Sequence, residues 1–120
     1  MSVKTLKAED PESFIGSENW YRHGLVRSVT YTDGAKYVAD SGGAYWLLDE
    51  IALAQKFNAR IKAEPFQVWK LAVSDNRGLL TCDDGNDNIV FTKKIPFTDF
   101  PLSEIRFYLT DNVILLPSEY

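Results

Sequence analysis

The sequence feature that most restricts the fold is a helical pattern at residues 44–57. Apolar side chains recur at helical spacing on one side of it, at Ala44, Leu47, Leu48, Ile51 and Ala54. A second apolar stripe follows at Trp46, Leu53 and Phe57. A helix with so few polar positions must be covered on more than one side, so we predict one long buried helix. Asn58 is its predicted C-cap.

The residues around this helix alternate between apolar and polar types, which predicts strands. The predicted strands are 25–32, 35–39, 66–73, 79–83, 88–94, 104–110 and 113–116. In 66–73 we place Trp69, Leu71 and Val73 on one face and Gln67 and Lys70 on the other.

Short turn sequences separate these strands. Asp33-Gly34 predicts a type I′ hairpin, and Asp75-Asn76-Arg77-Gly78, Gly85-Asn86 and Asp111-Asn112 predict three more turns. Pro11 to Ile15 predicts a short N-terminal helix with Asp10 as its N-cap. We therefore predict an α+β fold with an antiparallel sheet of about six strands built from hairpins. The chain is expected to be a single domain, 1–120, with residues 1–13 as a flexible lead-in.

The negative charge of the chain is concentrated in its last third. Residues 83–120 contain three basic and seven acidic side chains, whereas residues 1–82 contain ten of each. Without a basic stripe, direct binding to nucleic acid is not expected. An acidic surface suits a basic protein partner, for example a nucleic-acid-binding host complex. The candidate interface residues are Asp83, Asp84, Asp87, Asp99 and Glu104.

Few side chains in the sequence are suited to metal binding or covalent chemistry. His23 and Cys82 are the single histidine and cysteine, so a zinc site or disulfide is not expected. The loop that starts at Asp83 has Lys94 at its twelfth position, where an EF-hand needs glutamate. Gly42-Gly43 lacks the lysine of a phosphate loop. We predict no cofactor, no metal site and no catalytic residues.

Aromatic residues form the second group of candidate binding residues. They are Trp20, Tyr21, Arg22 and His23, together with Tyr45 and Trp46. One interpretation is an aromatic cover over the core. The other is an interface or a ligand pocket in which His23 acts as a general base, which defines the alternative function of a small-ligand-binding protein or small enzyme. The many aromatic residues also make a homodimer plausible.

Export and membrane insertion are not predicted. Residues 1–10 lack the apolar core of a signal peptide, and no stretch approaches the roughly 20 apolar residues of a membrane helix. We therefore expect a cytoplasmic protein without membrane contact.

Several sequence strings resemble an uncharacterised family of small bacterial, phage and plasmid proteins with a domain of unknown function. The matching strings are Glu18–His23, Tyr31–Gly34 with Lys36-Tyr37, Gly43–Ala52, Glu64–Trp69, Cys82–Asn86, Phe97–Pro101 and Leu115–Tyr120. Such proteins look like the products of accessory genes of mobile elements. The localised charge and the lack of catalytic residues predict a non-catalytic protein-binding module. The resemblance implies that such a module is borne by a phage or plasmid and inhibits a host defence complex in an anti-CRISPR-like manner.

Overall fold

The computed structural model describes residues 6–7, 10–11 and 19–120. Within them the strands are β1 (Trp20–Arg22), β2 (Thr30–Thr32), β3 (Phe66–Ser74), β4 (Arg77–Asp83), β5 (Ile89–Ile95), β6 (Glu104–Thr110) and β7 (Val113–Leu115). The helices are α1 (Asp33–Gly42), α2 (Tyr45–Phe57) and α3 (Ala59–Lys62), with a 3₁₀ turn at Pro117–Glu119. Residues 12–15 of the predicted helix and most of the predicted lead-in at 1–13 lie outside the described residues.

The described strands form one seven-stranded sheet in the order β1-β2-β7-β6-β3-β4-β5. Tight turns join β3 to β4 and β6 to β7, and both residues of Asp75-Asn76 and of Asp111-Asn112 have positive φ, as type I′ turns require. Such turns force antiparallel pairing, which confirms the predicted α+β class. The prediction of a wholly antiparallel sheet of about six strands is corrected, because β2 pairs in parallel with β7.

Helix α2 confirms the predicted long helix almost residue for residue. Leu47, Leu48 and Ile51 are buried in the core, and the backbone N–H of Asn58 caps the helix on the carbonyl of Ala54. The second stripe is covered less than predicted. Trp46 and Leu53 are partly buried against the core, whereas Phe57 is 75% exposed.

Helix α1 replaces a predicted hairpin turn and return strand, and both of those predictions are wrong. Thr32 is the N-cap and its Oγ1 accepts the N–H of Ala35 at 3.3 Å. Ala35, Val38, Ala39 and Gly42 are buried at helical spacing, a pattern that outweighs the turn propensity of Asp33-Gly34. The predicted strand at 25–32 is too long, because only Thr30–Thr32 forms β2. Hydrogen bonds to the His23 ring hold the residues before β2 in a loop.

The face assignment of β3 is corrected at one residue. Side chains two residues apart share a face of a strand, so Gln67 lies on the same side as Trp69 and Leu71. All three are buried in the structure. Val68 and Lys70 are half-buried on the other face, which no helix of the described residues covers.

Gly34 is needed for close packing rather than for a positive φ. A Cβ there would lie 2.5 Å from Oε1 of Glu119 and 2.8 Å from Cδ1 of Leu116. Glu119 is held in place because it accepts hydrogen bonds from the Thr32 hydroxyl at 2.6 Å and the Gly34 N–H at 3.1 Å. The 3₁₀ turn of the tail thereby caps the start of α1.

We expect Gly34→Ala to lower the free energy of unfolding by about 2 kcal/mol, because the new methyl group overpacks this contact. Urea unfolding monitored by circular dichroism measures the change. The matched control is Gly24→Ala, where a Cβ would meet nothing within 4 Å. Equal stability of the two variants would contradict the packing explanation.

Candidate functional site

His23 is buried, and both of its ring nitrogens are hydrogen-bonded. Nδ1 accepts the backbone N–H groups of Leu25 at 3.1 Å and Val26 at 3.0 Å. Because Nδ1 is an acceptor, the ring proton resides on Nε2, which donates to Oδ1 of Asp49 at 2.8 Å. The ring therefore holds the loop after β1 against α2, with only 4% of the residue exposed.

The other aromatic candidates point in different directions. Tyr21 donates its hydroxyl proton to Asp33 at 2.9 Å, and Tyr45 donates to Asp40. Trp20 projects into solvent and Trp46 is half-buried. Arg22 lies exposed at the end of β1. Tyr21 and Tyr45 are thus both hydrogen-bonded to side chains of α1.

The two tyrosines are held there as neutral hydrogen-bond donors. The hydrogen bond to Asp33 is the main reason that the pKa of Tyr21 is raised. Burial and the hydrogen bond to Asp40 raise the pKa of Tyr45 well above its usual range. The Nζ of Lys36 lies 5.5 Å from the Tyr21 ring centre and 2.7 Å from Oδ2 of Asp40. The cation and carboxylates of this surface are therefore already paired.

Cys82 is a core residue on the helix-facing side of β4. Burial, and next the nearby Asp83 carboxylate, raise the pKa of its thiol to about 12. The side chain is therefore a protonated thiol at neutral pH, which is the inert form.

The predicted acidic residues fall at two opposite ends of the sheet. Asp83 pairs with Val68 of β3, whereas Glu104 pairs with Ala72, four residues along the strand and hence roughly 13 Å away. Asp99 also lies at the Glu104 end, since the neighbouring Thr98 N–H donates to the carbonyl of Asn76. The structure does not bring the five predicted carboxylates together.

Glu104 is engaged by two cations of the exposed sheet face. Its carboxylate lies 3.4 Å from Nζ of Lys70 and 3.1 Å from Nε of Arg106. Burial opposes its ionisation, but the hydrogen bonds from both cations outweigh that effect and lower the pKa of Glu104. This carboxylate offsets the charge of its neighbours.

The β4–β5 turn presents the other three carboxylates in a defined conformation. Oδ1 of Asp83 accepts the Gly85 N–H at 2.7 Å, and Oδ1 of Asp84 accepts the Asn86 N–H at 2.8 Å. The Asn88 side chain and the Asn86 N–H lower the pKa of Asp84 by stabilising its anion. Asp87, with a φ of 65°, is exposed. The turn thus fixes the Asp83 and Asp84 carboxylates by hydrogen bonds to its own backbone.

Two further carboxylates lie at the same end of the sheet as this turn. Because β3 is antiparallel to both β4 and β6, the start of β3 lies beside the ends of those strands. Glu64 precedes β3, and Asp111 follows β6. We call this surface the acidic end, which comprises Glu64, Asp83, Asp84, Asp87 and Asp111. Sequence reasoning missed Glu64 and Asp111 because only the strand order brings them to the same end of the sheet as the turn.

Three aromatic rings pack together beside the acidic end on the uncovered sheet face. The ring centres of Phe66 and Tyr108 are 4.9 Å apart, and the Tyr120 ring lies 5.3 Å and 5.5 Å from them. We call these residues the aromatic trio. A Cβ on Gly85 would touch the Phe66 ring at 3.1 Å, so the acidic turn packs directly against the trio.

The tail holds the third ring on the surface with much of its area open to solvent. Tyr120 is 73% exposed and follows the 3₁₀ turn that Glu119 attaches to α1. Strand alternation could have identified Phe66 and Tyr108, since they lie on the face opposite buried Gln67 and Phe107.

A hollow of about 250 Å³ lies on the same face of the sheet as the trio. Asp83, Asp87 and Ile89 line one side, and Lys70 and Arg106 line the other. Since Glu104 partly neutralises the two cations, the aspartate side has the greater unpaired charge.

No helix in the described part of the chain is long and apolar enough to cross a membrane. Among the same residues, no group of three or more His, Cys, Asp and Glu side chains is positioned to hold a metal ion.

Comparisons with other proteins give one match. No curated protein matches the chain, and no solved structure does. The model of a family of unknown function, DUF6876, matches residues 5–120. This match spans nearly the whole chain, including both the acidic end and the aromatic trio, and agrees with the resemblance found in the sequence strings. The chain therefore belongs to the DUF6876 family of unknown function.

Proposed function

We propose that the chain is a non-catalytic protein-binding module that captures a basic surface of a protein partner at its acidic end. The observation that carries the proposal is the position of five carboxylates at one end of the sheet, beside an aromatic trio in which Tyr120 is exposed and Phe66 and Tyr108 are half-buried. The proposal keeps Asp83, Asp84 and Asp87 of the predicted interface and replaces Asp99 and Glu104 by Glu64 and Asp111.

The charges and the rings contribute to binding in different ways. Carboxylates within about 10 Å of a basic partner attract it before contact, and salt screens this attraction. The exposed Tyr120 ring and the open parts of Phe66 and Tyr108 supply area that is buried on contact, and aromatic faces attract arginine and lysine. The acidic end therefore steers the encounter, and the trio anchors the complex.

The partner that best fits this chemistry is a protein with a nucleic-acid-binding surface. Such surfaces cluster lysine and arginine to hold phosphates, so an acidic module can occupy them in place of the nucleic acid. We propose that the module acts in this way in the cytoplasm, as a phage- or plasmid-borne inhibitor of a host defence complex.

The geometry gives less support to the alternative, a small-ligand-binding protein or small enzyme with an aromatic and histidine pocket. A general base needs a ring nitrogen free to take a proton, and both nitrogens of His23 are already hydrogen-bonded. The two residues of the predicted pocket also differ in burial, since Trp20 is 62% exposed and His23 is only 4% exposed.

A neutralising variant tests the proposal without disrupting the turn. Changing Asp83, Asp84 and Asp87 to asparagine keeps a side-chain oxygen to accept the turn hydrogen bonds and removes three charges. We expect at least a tenfold loss of partner capture from host lysate at low salt, with a weaker dependence on salt. Quantitative mass spectrometry of the captured proteins at two salt concentrations measures both effects.

The matched control removes three charges from the opposite end of the sheet, with Asp75→Asn, Asp99→Asn and Glu104→Gln. We expect capture by this control to remain within about twofold of the wild type. Equal loss in the two triple variants, or unchanged capture by the first, would refute the proposed surface. Tyr120→Ala tests the anchor separately, and we expect it to weaken capture at high salt as well as at low salt.

A further inference from the structure

The uncovered face of β6, β3, β4 and β5 carries an ordered pattern of charges. Cross-strand pairing arranges its side chains in rows. The first row is Glu104, Ala72, Leu79 and Lys94, and the second is Arg106, Lys70, Thr81 and Thr92. The third row is Tyr108, Val68, Asp83 and Ile89. The first row therefore runs from an acid on β6 to a base on β5.

Two side chains of this face lack favourable contacts, one a lysine without an ion pair and the other an exposed isoleucine. Lys94 forms no ion pair with any residue that the structure describes. Ile89 is 60% exposed. An antiparallel sheet can leave one face in water, so exposure by itself does not call for a partner. The order of charges within the rows does identify one.

We infer that two copies of the chain associate through this face. A two-fold axis parallel to the strands, between β3 and β4, keeps every row at its level and exchanges β6 with β5. Glu104 then faces Lys94 of the second copy, and the symmetry repeats the pair. Ala72 faces Leu79, and Tyr108 faces Ile89. Across the axis an acidic side chain thus faces a basic one, and apolar side chains of one copy face apolar side chains of the other.

The second row is compatible with the same arrangement. Lys70 and Arg106 face Thr81 and Thr92 of the second copy, so no like charges meet within the row. Asp83 of the second copy comes over Val68, one row from Lys70. Two sheets in face-to-face contact lie about 10 Å apart, which long lysine, arginine and glutamate side chains span from both sides.

The size of the face sets the strength of the association. Four strands of about seven residues cover a plane of about 400 Å², compared with about 800 Å² per partner in a standard interface. A dimer of this size is expected to form at micromolar rather than nanomolar concentrations. This inference does not depend on the proposed function. The axis places both acidic ends on one side of the dimer, and because Asp83 and Tyr108 belong to both surfaces, a second copy and a captured partner compete for them.

A charge exchange tests the inference. Sedimentation equilibrium of the whole chain, from about 1 to 200 µM, gives the dimer dissociation constant. We expect Glu104→Lys and Lys94→Glu each to raise that constant at least tenfold, because like charges then face each other twice. The double variant should restore association to near the wild-type value, which a merely structural effect of either change would not do.

The control variant is Arg60→Glu, which makes the same change in charge as Lys94→Glu but on α3, away from the face, and should leave the dissociation constant unchanged. Circular dichroism confirms that each variant is folded. A wild-type chain that stays monomeric over the whole range would overturn the inference. So would a dimer that the two single changes do not weaken, or a double variant that does not recover.

Discussion

Replacement of Gln67 by methionine is expected to lower the free energy of unfolding by about 3 kcal/mol, although the side chain keeps its size. The Gln67 carbonyl oxygen accepts from Nε1 of Trp69 at 2.9 Å and from Gln55 at 2.8 Å. Its amide group donates to Gln55 and to the carbonyls of Ile61 and Glu64. A thioether leaves these buried groups without partners, and each such group is costly.

Urea unfolding, followed by tryptophan fluorescence and circular dichroism, measures this loss. Gln67→Ala should cost about 1 kcal/mol more than Gln67→Met, because it adds a cavity to the lost hydrogen bonds. The double variant Gln55→Met/Gln67→Met should lose less free energy of unfolding than the two single variants together. Each single change leaves the amide of the other glutamine without its partner, and the double change removes both amides. A Gln67→Met variant within 1 kcal/mol of the wild type would show that the network contributes little to stability.

His23→Ala is expected to destabilise the fold by about 2 to 3 kcal/mol. The change removes the acceptor for the N–H groups of Leu25 and Val26 and leaves a gap between the loop and α2. The buried Val26 and Val29 depend on that loop conformation. Thermal and urea unfolding measure the effect.

Two variants separate this structural role from a catalytic one. Asp49→Asn keeps an oxygen that accepts from Nε2 of His23, so we expect a change below about 1 kcal/mol. His23→Asn keeps a side-chain acceptor near the Nδ1 position and should fall between the wild type and His23→Ala. If His23→Ala unfolds at the same urea concentration as the wild type, the ring does not hold the loop, and the interpretation of His23 as a general base regains weight.

The local elements that the sequence predicted well are those with both a clear periodicity and a clear boundary. Helix α2 has apolar stripes and ends at Asn58, and β6 alternates over all seven of its residues. The hairpins at Asp75-Asn76 and Asp111-Asn112 contain residues that tolerate positive φ. In each case one local signal had no competitor.

The predictions failed where two local signals competed or where position in the fold decided the outcome. Asp33-Gly34 carries a hairpin signal, but Thr32 also caps a helix, and burial of Val38 and Ala39 selects the helix. Gln67 looks like a surface residue, yet it is buried because Gln55 and the carbonyls of Ile61 and Glu64 satisfy its amide. Composition does not reveal such a partner, since the amide pair joins two elements that are separate in the sequence.

The candidate site shows the same division. The sequence by itself determined the acidic β4–β5 turn, because Asp, Gly and Asn favour that conformation through contacts between near neighbours. The tertiary structure alone placed Glu64 and Asp111 at the same end of the sheet as this turn, moved Glu104 to the far end and set Tyr120 on Phe66. These residues meet through strand order and register, which depend on burial of one face of the whole sheet.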